Sequence, residues 1–282
     1  MHRLRPIKAI ILALSIVVMA ATVACAQRSG GTSNREYRQE VIKAVPFDRL
    51  NDQTKQLLDP VLKKPSLYRR LPAASIRIDP EHLRFLVRYP EVVVEIWKLM
   101  GVTQLETSRV GPFQVVTNDG AGTTSNVDLI YGDSNVHIFY ATGTYEGPLI
   151  LRKLTGKCVM ILRTQHSQEA DGTPIAVNTL DVFLKVDNAT ASLVARGLQP
   201  LVGPTADHNF LESMKFLQRL NDTTVRNGAG VTQMAENLDL SVEVRREYQN
   251  LATRVFKRYQ HQQPAVTATP TVKLSDSPSV LR

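Results

Sequence analysis

Cysteine and tryptophan are scarce in this sequence, which contains two cysteines, Cys25 and Cys158, and one tryptophan, Trp97. A chain cleaved after position 26 keeps only Cys158, and a single cysteine cannot form an intramolecular disulfide. A disulfide-stapled fold is therefore excluded, and stability must come from a buried hydrophobic core. The 282 residues and the hydrophobic content of 43% are sufficient for one large domain or two small ones.

The N-terminus has the composition of a secretory signal peptide. A basic start is followed by an uncharged apolar run, Ala9 to Ala21, and then by the small residues Ala24-Cys25-Ala26. A membrane-spanning helix needs about 20 apolar residues, and this run is shorter. The pattern therefore predicts a signal peptide over residues 1–26, cleaved before Gln27.

Cys25 leaves a second processing route open. Residues 22–25, Thr-Val-Ala-Cys, partly resemble a bacterial lipobox, although Thr22 occupies a position where leucine is usual. Lipid attachment at Cys25 would tether the protein to a membrane by acyl chains. Both routes predict an exported protein, located in the periplasm or outside the cell.

Positive charge exceeds negative charge by a modest amount. The formal net charge is +8, and Arg3, Arg5 and Lys8 of the signal segment account for three of these charges, which leaves +5 for the mature chain. This excess favours an anionic surface or an envelope protein as a partner. The sequence lacks a Lys/Arg block interleaved with aromatic residues, so nucleic acid is not expected as a partner.

Composition and periodicity divide the mature chain into five segments. Residues 27–36 are predicted to be a flexible leader, and residues 264–282, which are rich in proline, serine and threonine, a disordered tail. Residues 37–104 are predicted to be a helical extension. Residues 105–220 are expected to form a sheet with a covering helix, and residues 221–263 further helices.

Local signals mark the helix ends in the extension. Asp48 can cap a helix that Pro60 is expected to break. Asp79-Pro80-Glu81 predicts a second helix start, since aspartate accepts free N–H groups and proline is tolerated at the first helical position. Pro90-Glu91 predicts a third start, and Gly101 the end of that helix. Trp97 is expected to anchor this helix in the core.

The central region has the two-residue period of β-strands. Short turns, among them one predicted at Thr155-Gly156, separate the strands and exclude parallel crossovers. The expected arrangement is an antiparallel meander of roughly five to seven strands. The predicted strands are 113–116, 127–131, 136–145, 149–154, 158–164 and 175–186.

A long amphipathic helix follows the strands. Phe210, Met214 and Leu217 recur at helical spacing after the start signals Pro204 and Asp207. This helix is expected to cover the apolar face of the sheet, which gives an α+β fold with an antiparallel β-meander packed against a C-terminal helix. A further helix is predicted over residues 241–259.

The order of a helix, an antiparallel meander and a long amphipathic helix resembles the helix-grip arrangement of the START and polyketide-cyclase-like superfamily. The resemblance covers roughly residues 79–220 and rests on element order alone. It implies a curved sheet around a C-terminal helix, with an apolar cavity for a lipid or another hydrophobic molecule. It implies no particular catalytic residue.

The residues that could carry chemistry have simpler structural interpretations. Gly132-Asp133-Ser134-Asn135 is similar to the nucleophile block of GDSL-type esterases, but the alternation after Ser134 places it in a hairpin turn. His137, His166 and His208 do not have the spacing of a zinc site. Cys158 alternates along a strand and is predicted to be a buried, inert thiol. The sequence therefore predicts neither a metal nor a cofactor, and assigns no catalytic residue.

Polar residues among large apolar groups on the strands are the candidate ligand-binding residues. They are His137, Phe139, Arg163 and Asn178. A few convergent polar groups in an apolar lining are typical of a small-molecule pocket, while a solvated outer sheet face is the alternative for each.

The favoured function is that of an exported, non-catalytic binding protein that holds an apolar or amphipathic, lipid-like ligand between sheet and helix. The basic surface and the terminal helix leave open a structural or interaction protein of the cell envelope. A secreted hydrolase that uses Ser134 or an Asp/His pair is the third hypothesis.

Overall fold

The computed structural model describes residues 30–146, 153–187 and 203–260. The predicted signal segment 1–26, with Cys25, and the predicted tail 264–282 lie outside the described residues, as do positions 149–152 of one predicted strand. No helix among the described residues combines the length and the apolar character that a membrane crossing requires.

The described residues form seven α-helices, one short 3₁₀ helix at Phe47–Arg49 and eight β-strands. The helices are α1 (Arg35–Lys43), α2 (Asp52–Lys63), α3 (Pro80–Arg88), α4 (Pro90–Leu99), α5 (Pro204–Arg226), α6 (Gly228–Ala235) and α7 (Val242–Gln260). The strands are β1 (Leu67–Arg70), β2 (Ala74–Arg77), β3 (Glu106–Gly111), β4 (Gln114–Asn118), β5 (Thr123–Gly132), β6 (Val136–Tyr145), β7 (Leu154–Gln168) and β8 (Pro174–Val186).

All eight strands belong to one antiparallel sheet. Strands β3 to β8 follow one another as a meander, and β1 and β2 both pair with the free edge of β8. The long helix α5 packs against the sheet. The predicted α+β class, with an antiparallel sheet and a long covering helix, is confirmed.

Two features of the sheet differ from the sequence expectation. Strands β1 and β2 lie in the segment that was expected to be helical. Each has only four residues and is held by pairing with β8, so no local pattern predicts it. Thr155 and Gly156 do not form a turn. They lie inside β7, where Gly156 pairs with Gly143 on one side and with Val186 on the other. A Cβ atom at position 156 would lie 3.1 Å from the Lys185 carbonyl oxygen, so the glycine allows β7 and β8 to approach each other closely.

The helix starts follow the local signals closely. The Asp79 side chain accepts hydrogen bonds from the N–H groups of Glu81 and His82, and Pro80 is the first residue of α3. Helix α4 begins at Pro90, and Gly101 follows its end with φ +69°. The prediction for α2 was wrong at both ends. Asn51 caps it instead of Asp48, and the helix continues through Pro60 to Lys63.

Helices cover both faces of the sheet. One core lies between the sheet and α3 to α7, and it contains Trp97, whose ring centroid is 5.3 Å from that of Phe216 on α5. The second core lies on the opposite face, where Leu58 and Val61 of α2 pack towards Phe183. The sheet is therefore the central layer, and its second face is covered by helices rather than left to solvent.

Candidate functional site

An apolar cavity of about 150 Å³ lies between the sheet and α5. Side chains from the sheet, from α5 and from the α3–α4 pair surround it. Its main lining residues are Leu86, Val87, Pro90, Val93, Val127, Phe139, Met160, Leu162, Leu180, Phe210, Met214 and Leu217.

The sequence builds the two long walls of this cavity from two periodicities. On the sheet, Phe139 is directly opposite Met160, and Leu162 is directly opposite Leu180, so alternate residues of three adjacent strands share the face. On α5, the spacing of Phe210, Met214 and Leu217 places them on one side of the helix. Both walls could be expected from the residue pattern, whereas the space between them was implied only by the resemblance to the helix-grip arrangement.

Asn209 and Ser213 are the polar side chains in the lining. The Ser213 hydroxyl donates to the Asn209 carbonyl oxygen at 2.7 Å. The Asn209 Nδ2 atom is buried and has no hydrogen-bond partner among the described residues. It can therefore donate to a polar atom of a molecule in the cavity. Asn209 was not predicted from the sequence, although a polar i, i+4 pair within the apolar stripe of α5 is a usable signal.

Three of the four predicted ligand-binding residues share the face of the sheet that bears the cavity. Phe139 lines the cavity. His137 lies on the same face and is directly opposite Leu162. Asn178 is fully buried, and its amide is already bonded to Thr164 at 2.9 Å and to the Ala176 carbonyl at 3.3 Å. Asn178 therefore links β8 to β7 rather than facing the cavity with free polar atoms.

Arg163 lies on the opposite face, and this corrects the expectation that it converges with the other three. It is directly opposite Val136 across the β6–β7 pair, one position out of phase with His137. Its guanidinium is 3.0 Å from Asp181 Oδ2. Asp181 is completely buried and also accepts from Tyr68 at 2.8 Å and from Arg70 at 2.9 Å. Burial and the Asp181 carboxylate raise the pKa of Tyr68, so its phenol stays protonated in this ion network.

His137 borders a smaller cleft beside the cavity. Only 3% of its surface is exposed, and neither ring nitrogen has a hydrogen-bond partner among the described residues. Burial, together with the positive charge of Arg88, lowers the pKa of His137 to about 4, so the imidazole is neutral at pH 7. Arg84 also lines this cleft. Arg84 was not identified from the sequence, because one exposed arginine on an amphipathic helix carries no distinguishing signal.

The residues considered for catalysis are not arranged for it. Asp133, Ser134 and Asn135 form the β5–β6 turn, as predicted, and the Ser134 hydroxyl donates to Asn135 Oδ1 at 2.5 Å. His166 Nε2 is 3.0 Å from the backbone oxygen of Ser134, not from its hydroxyl. Cys158 is buried, and burial raises the pKa of its thiol to about 12. Within the described ranges, no three His, Cys, Asp or Glu side chains are grouped to hold a metal ion.

No protein-family model matches this chain, and no curated protein sequence is similar to it. Among solved structures, it is similar to a conserved protein from Geobacillus kaustophilus, at 9% identity and a TM-score of 0.38, over 54% of this chain and 93% of that one. It is also similar to Ara h 8.0201, at 14% identity and a TM-score of 0.30, over 54% and 99% of the two chains. A third similar structure is the di-domain ARO/CYC BexL from the BE-7585A biosynthetic pathway. Its sequence identity is 12% and its TM-score 0.31, over 65% of this chain and 60% of that one. At such identities and TM-scores, neither a ligand nor an activity follows for this chain.

Proposed function

We propose that this protein binds a small apolar or amphipathic molecule in the cavity between the sheet and α5. The observation that carries the proposal is a space bounded by apolar side chains from three parts of the fold and left unfilled by the residues that the structure describes. Protein interiors are normally packed as densely as organic crystals. At ~24 cal/mol per Å³, a fully enclosed empty cavity of this size would cost about 3 to 4 kcal/mol of stability, and the cost is smaller here because the space is partly open to solvent. A ligand that fills it would recover part of that cost.

The size of the cavity restricts the ligand. A dry apolar cavity of about 150 Å³ holds a benzene-sized molecule, whereas pockets for larger ligands have volumes of about 300–1,000 Å³. The cavity therefore suits a single ring or one short acyl chain. A lipid with two long chains would require α5 to move away from the sheet. Within the lipid-like class, we propose a ligand with one short chain.

Equilibrium binding of 1-octanol, measured by calorimetry on the full chain, tests this proposal. Leu180 is half-buried in the cavity wall, so Leu180→Trp is designed to fill the space. We expect the wild type to bind octanol and Leu180→Trp to bind it at least about tenfold more weakly. The matched control is Leu99→Trp, because Leu99 is 53% exposed at the end of α4 and does not line the cavity.

Two results would contradict the proposal. In the first, the wild type binds neither octanol nor shorter and longer alcohols, and organic extraction of the purified protein yields no bound molecule. In the second, Leu180→Trp and Leu99→Trp both fold and bind octanol as tightly as the wild type does. Circular dichroism of each variant shows whether it is folded.

We further propose that the protein acts after export. The basic start, the apolar run and the small residues before Gln27 support this proposal. Intact-mass measurement of the protein recovered from outside the cytoplasm should give a chain that begins at Gln27, or at an acylated Cys25 if lipoprotein processing prevails. Recovery of the protein only in the cytoplasm, with Met1 retained, would contradict it.

A further inference from the structure

His137 is buried without a hydrogen-bond partner for either ring nitrogen among the described residues. A neutral imidazole has one N–H donor and one lone-pair acceptor, and leaving both unsatisfied in a protein interior is unfavourable. Burial of the His137 imidazole therefore lowers the stability of the fold, and a hydrogen bond from a bound polar group would offset this loss.

The local backbone holds the imidazole in place. A Cβ atom built on Gly132 would lie 3.0 Å from His137 Cδ2 and 3.4 Å from Nε2. A larger residue at position 132 would therefore have to displace the imidazole by a few tenths of an ångström. Packing against Gly132 limits the position of the imidazole, and no hydrogen bond from the described residues orients it.

The cleft beside His137 has a volume of about 100 Å³ and an excess of positive charge. Its polar lining consists of Arg84, Ser134, Thr164 and His166. The exposed Arg84 makes no ion pair among the described residues, and Arg88 donates only to the Gly132 carbonyl, at 3.4 Å. The carboxylate near His137 is that of Asp133, which already accepts from Tyr131 at 2.6 Å. The guanidinium groups of Arg84 and Arg88 thus lie near the neutral imidazole of His137 without a carboxylate partner among the described residues.

The cleft and the apolar cavity are neighbours. Val87 lines both of them. In addition, His137 is directly opposite Leu162 across the β6–β7 pair, and Leu162 lines the cavity. Paired residues of adjacent antiparallel strands have Cβ atoms about 5 Å apart. The two spaces thus share Val87 as a wall, and a small molecule with an apolar part in the cavity would pass this side chain to place a polar end beside His137.

We propose that the cleft at His137 and Arg84 binds the carboxylate of an amphipathic ligand whose apolar chain lies in the cavity, an inference that rests on the proposed function. The carboxylate accepts a hydrogen bond from the imidazole N–H and neutralises the Arg84 guanidinium. Charge-assisted bonds of this kind are roughly twice as strong as bonds between neutral groups. An alcohol of the same chain length can satisfy the imidazole but leaves the arginine without a counter-charge. The protein therefore prefers the acid.

The test compares the affinities of octanoate and 1-octanol for the full chain at pH 7.5, where octanoate is ionised. We expect the wild type to bind octanoate about tenfold more tightly, which corresponds to about 1.4 kcal/mol. Arg84→Gln and His137→Leu should each reduce this preference to less than about threefold while octanol binding is retained. The control is Arg219→Gln, because Arg219 is exposed on α5 and lines neither space.

Each outcome decides one of the two proposals. Equal affinities for octanoate and octanol in the wild type would overturn the carboxylate inference and leave the binding function intact. So would a tenfold preference that Arg84→Gln does not reduce, and because Arg84 is exposed, that variant gives an answer even if His137→Leu does not fold. Binding of neither probe to the wild type would overturn the proposed function, and this inference with it.

Discussion

His137 and Asp181 are both buried in the sheet, on opposite faces, and their polar atoms are satisfied to very different degrees. Asp181 accepts hydrogen bonds from Tyr68, Arg70 and Arg163. The imidazole of His137 has no partner among the described residues. Because an unsatisfied buried polar group lowers stability and a satisfied one is costly to remove, substitutions at the two positions should have opposite effects.

Replacement of His137 by leucine should stabilise the protein. The variant removes a donor and an acceptor that are buried without partners, and it keeps a side chain of similar size in the same space. We expect the free energy of unfolding to rise by about 1 to 3 kcal/mol, as measured by urea denaturation at pH 7.5. A loss of stability would show that the imidazole contributes packing or bonds that outweigh its unsatisfied nitrogens.

The stability of the wild type should fall as the pH decreases from about 6.5 to about 4. Burial lowers the pKa of both His82 and His137 to about 4, whereas an unfolded histidine titrates near 6.5. Between these values the unfolded chain binds more protons than the folded chain, so acid favours unfolding, and the contribution is complete above pH 6.5. The advantage of His137→Leu over the wild type should therefore be about 2 kcal/mol larger at pH 5 than at pH 7.5. Parallel stability curves for the two proteins would contradict this.

Removal of the Asp181 charge should destabilise the protein strongly. Asp181→Asn leaves the guanidinium groups of Arg70 and Arg163, which are 13% and 25% exposed, without their buried carboxylate. We expect a loss of about 3 to 5 kcal/mol in the free energy of unfolding. The comparison is Asp52→Asn, because Asp52 is 91% exposed and pairs with Lys55 at the surface, where a change of less than about 1 kcal/mol is expected. Equal losses of stability in Asp181→Asn and Asp52→Asn would contradict the role of Asp181 as the buried partner of the two arginines.

Among the elements, three helices meet at the start of α3. The Asp79 side chain caps α3, and it also accepts from Tyr259 of α7 at 3.1 Å and pairs with Arg258. The Asp79 N–H donates to Asn221 of α5 at 3.1 Å. Burial and this carboxylate raise the pKa of Tyr259 to about 12, so the phenol remains a donor at neutral pH. One buried residue thus joins α3, α5 and α7.

Loss of the Asp79 side chain should loosen α7 more than the rest of the fold. We expect Asp79→Ala to lower the free energy of unfolding by at least about 2 kcal/mol, since it removes a helix cap and a buried ion pair. Amide hydrogen exchange should accelerate more in α7 than in the sheet. Glu81→Gln is the control, since Glu81 bonds the neighbouring arginines from a more exposed position. Equal acceleration in α7 and in the sheet would contradict a local role.

At the same scale, the sequence predicts those elements that depend on local patterns. The start of α3 at Asp79-Pro80 and the assignment of neighbouring β6 residues to opposite faces are local, and both are found as expected. The pairing of β1 and β2 with β8 is not local, and four residues contain too little pattern to indicate it. The face occupied by Arg163 depends on the register with β6, which is fixed by neighbouring strands.

The residues of the candidate site likewise divide into those that a local sequence pattern predicts and those that only the packing of the fold shows. Phe139 and His137 could be chosen from the alternation along one strand, and both lie on the side of the sheet that bears the cavity. Arg84 reaches the cleft only because α3 packs across the end of the sheet. Asn209 is distinguished by its missing hydrogen-bond partner, which only the packed structure shows.

Over the whole molecule, the two faces of the sheet are filled differently. On the face of α1 and α2, the buried aromatic rings of Tyr68 and Phe183 pack with centroids 4.9 Å apart. On the face of α5, the apolar walls border a partly open space of about 150 Å³. Among the described residues, the face of α1 and α2 thus has a packed aromatic pair where the face of α5 has a space, and the proposed binding function depends on that difference.

A crystal structure with 8-bromooctanoate would test this difference most directly, because the anomalous signal of bromine locates the end of the chain. We predict a bromine peak between Phe139, Met160 and Met214, with the carboxylate beside His137 and Arg84. A molecule bound only on the outer surface, with the space between the sheet and α5 still empty, would contradict the account.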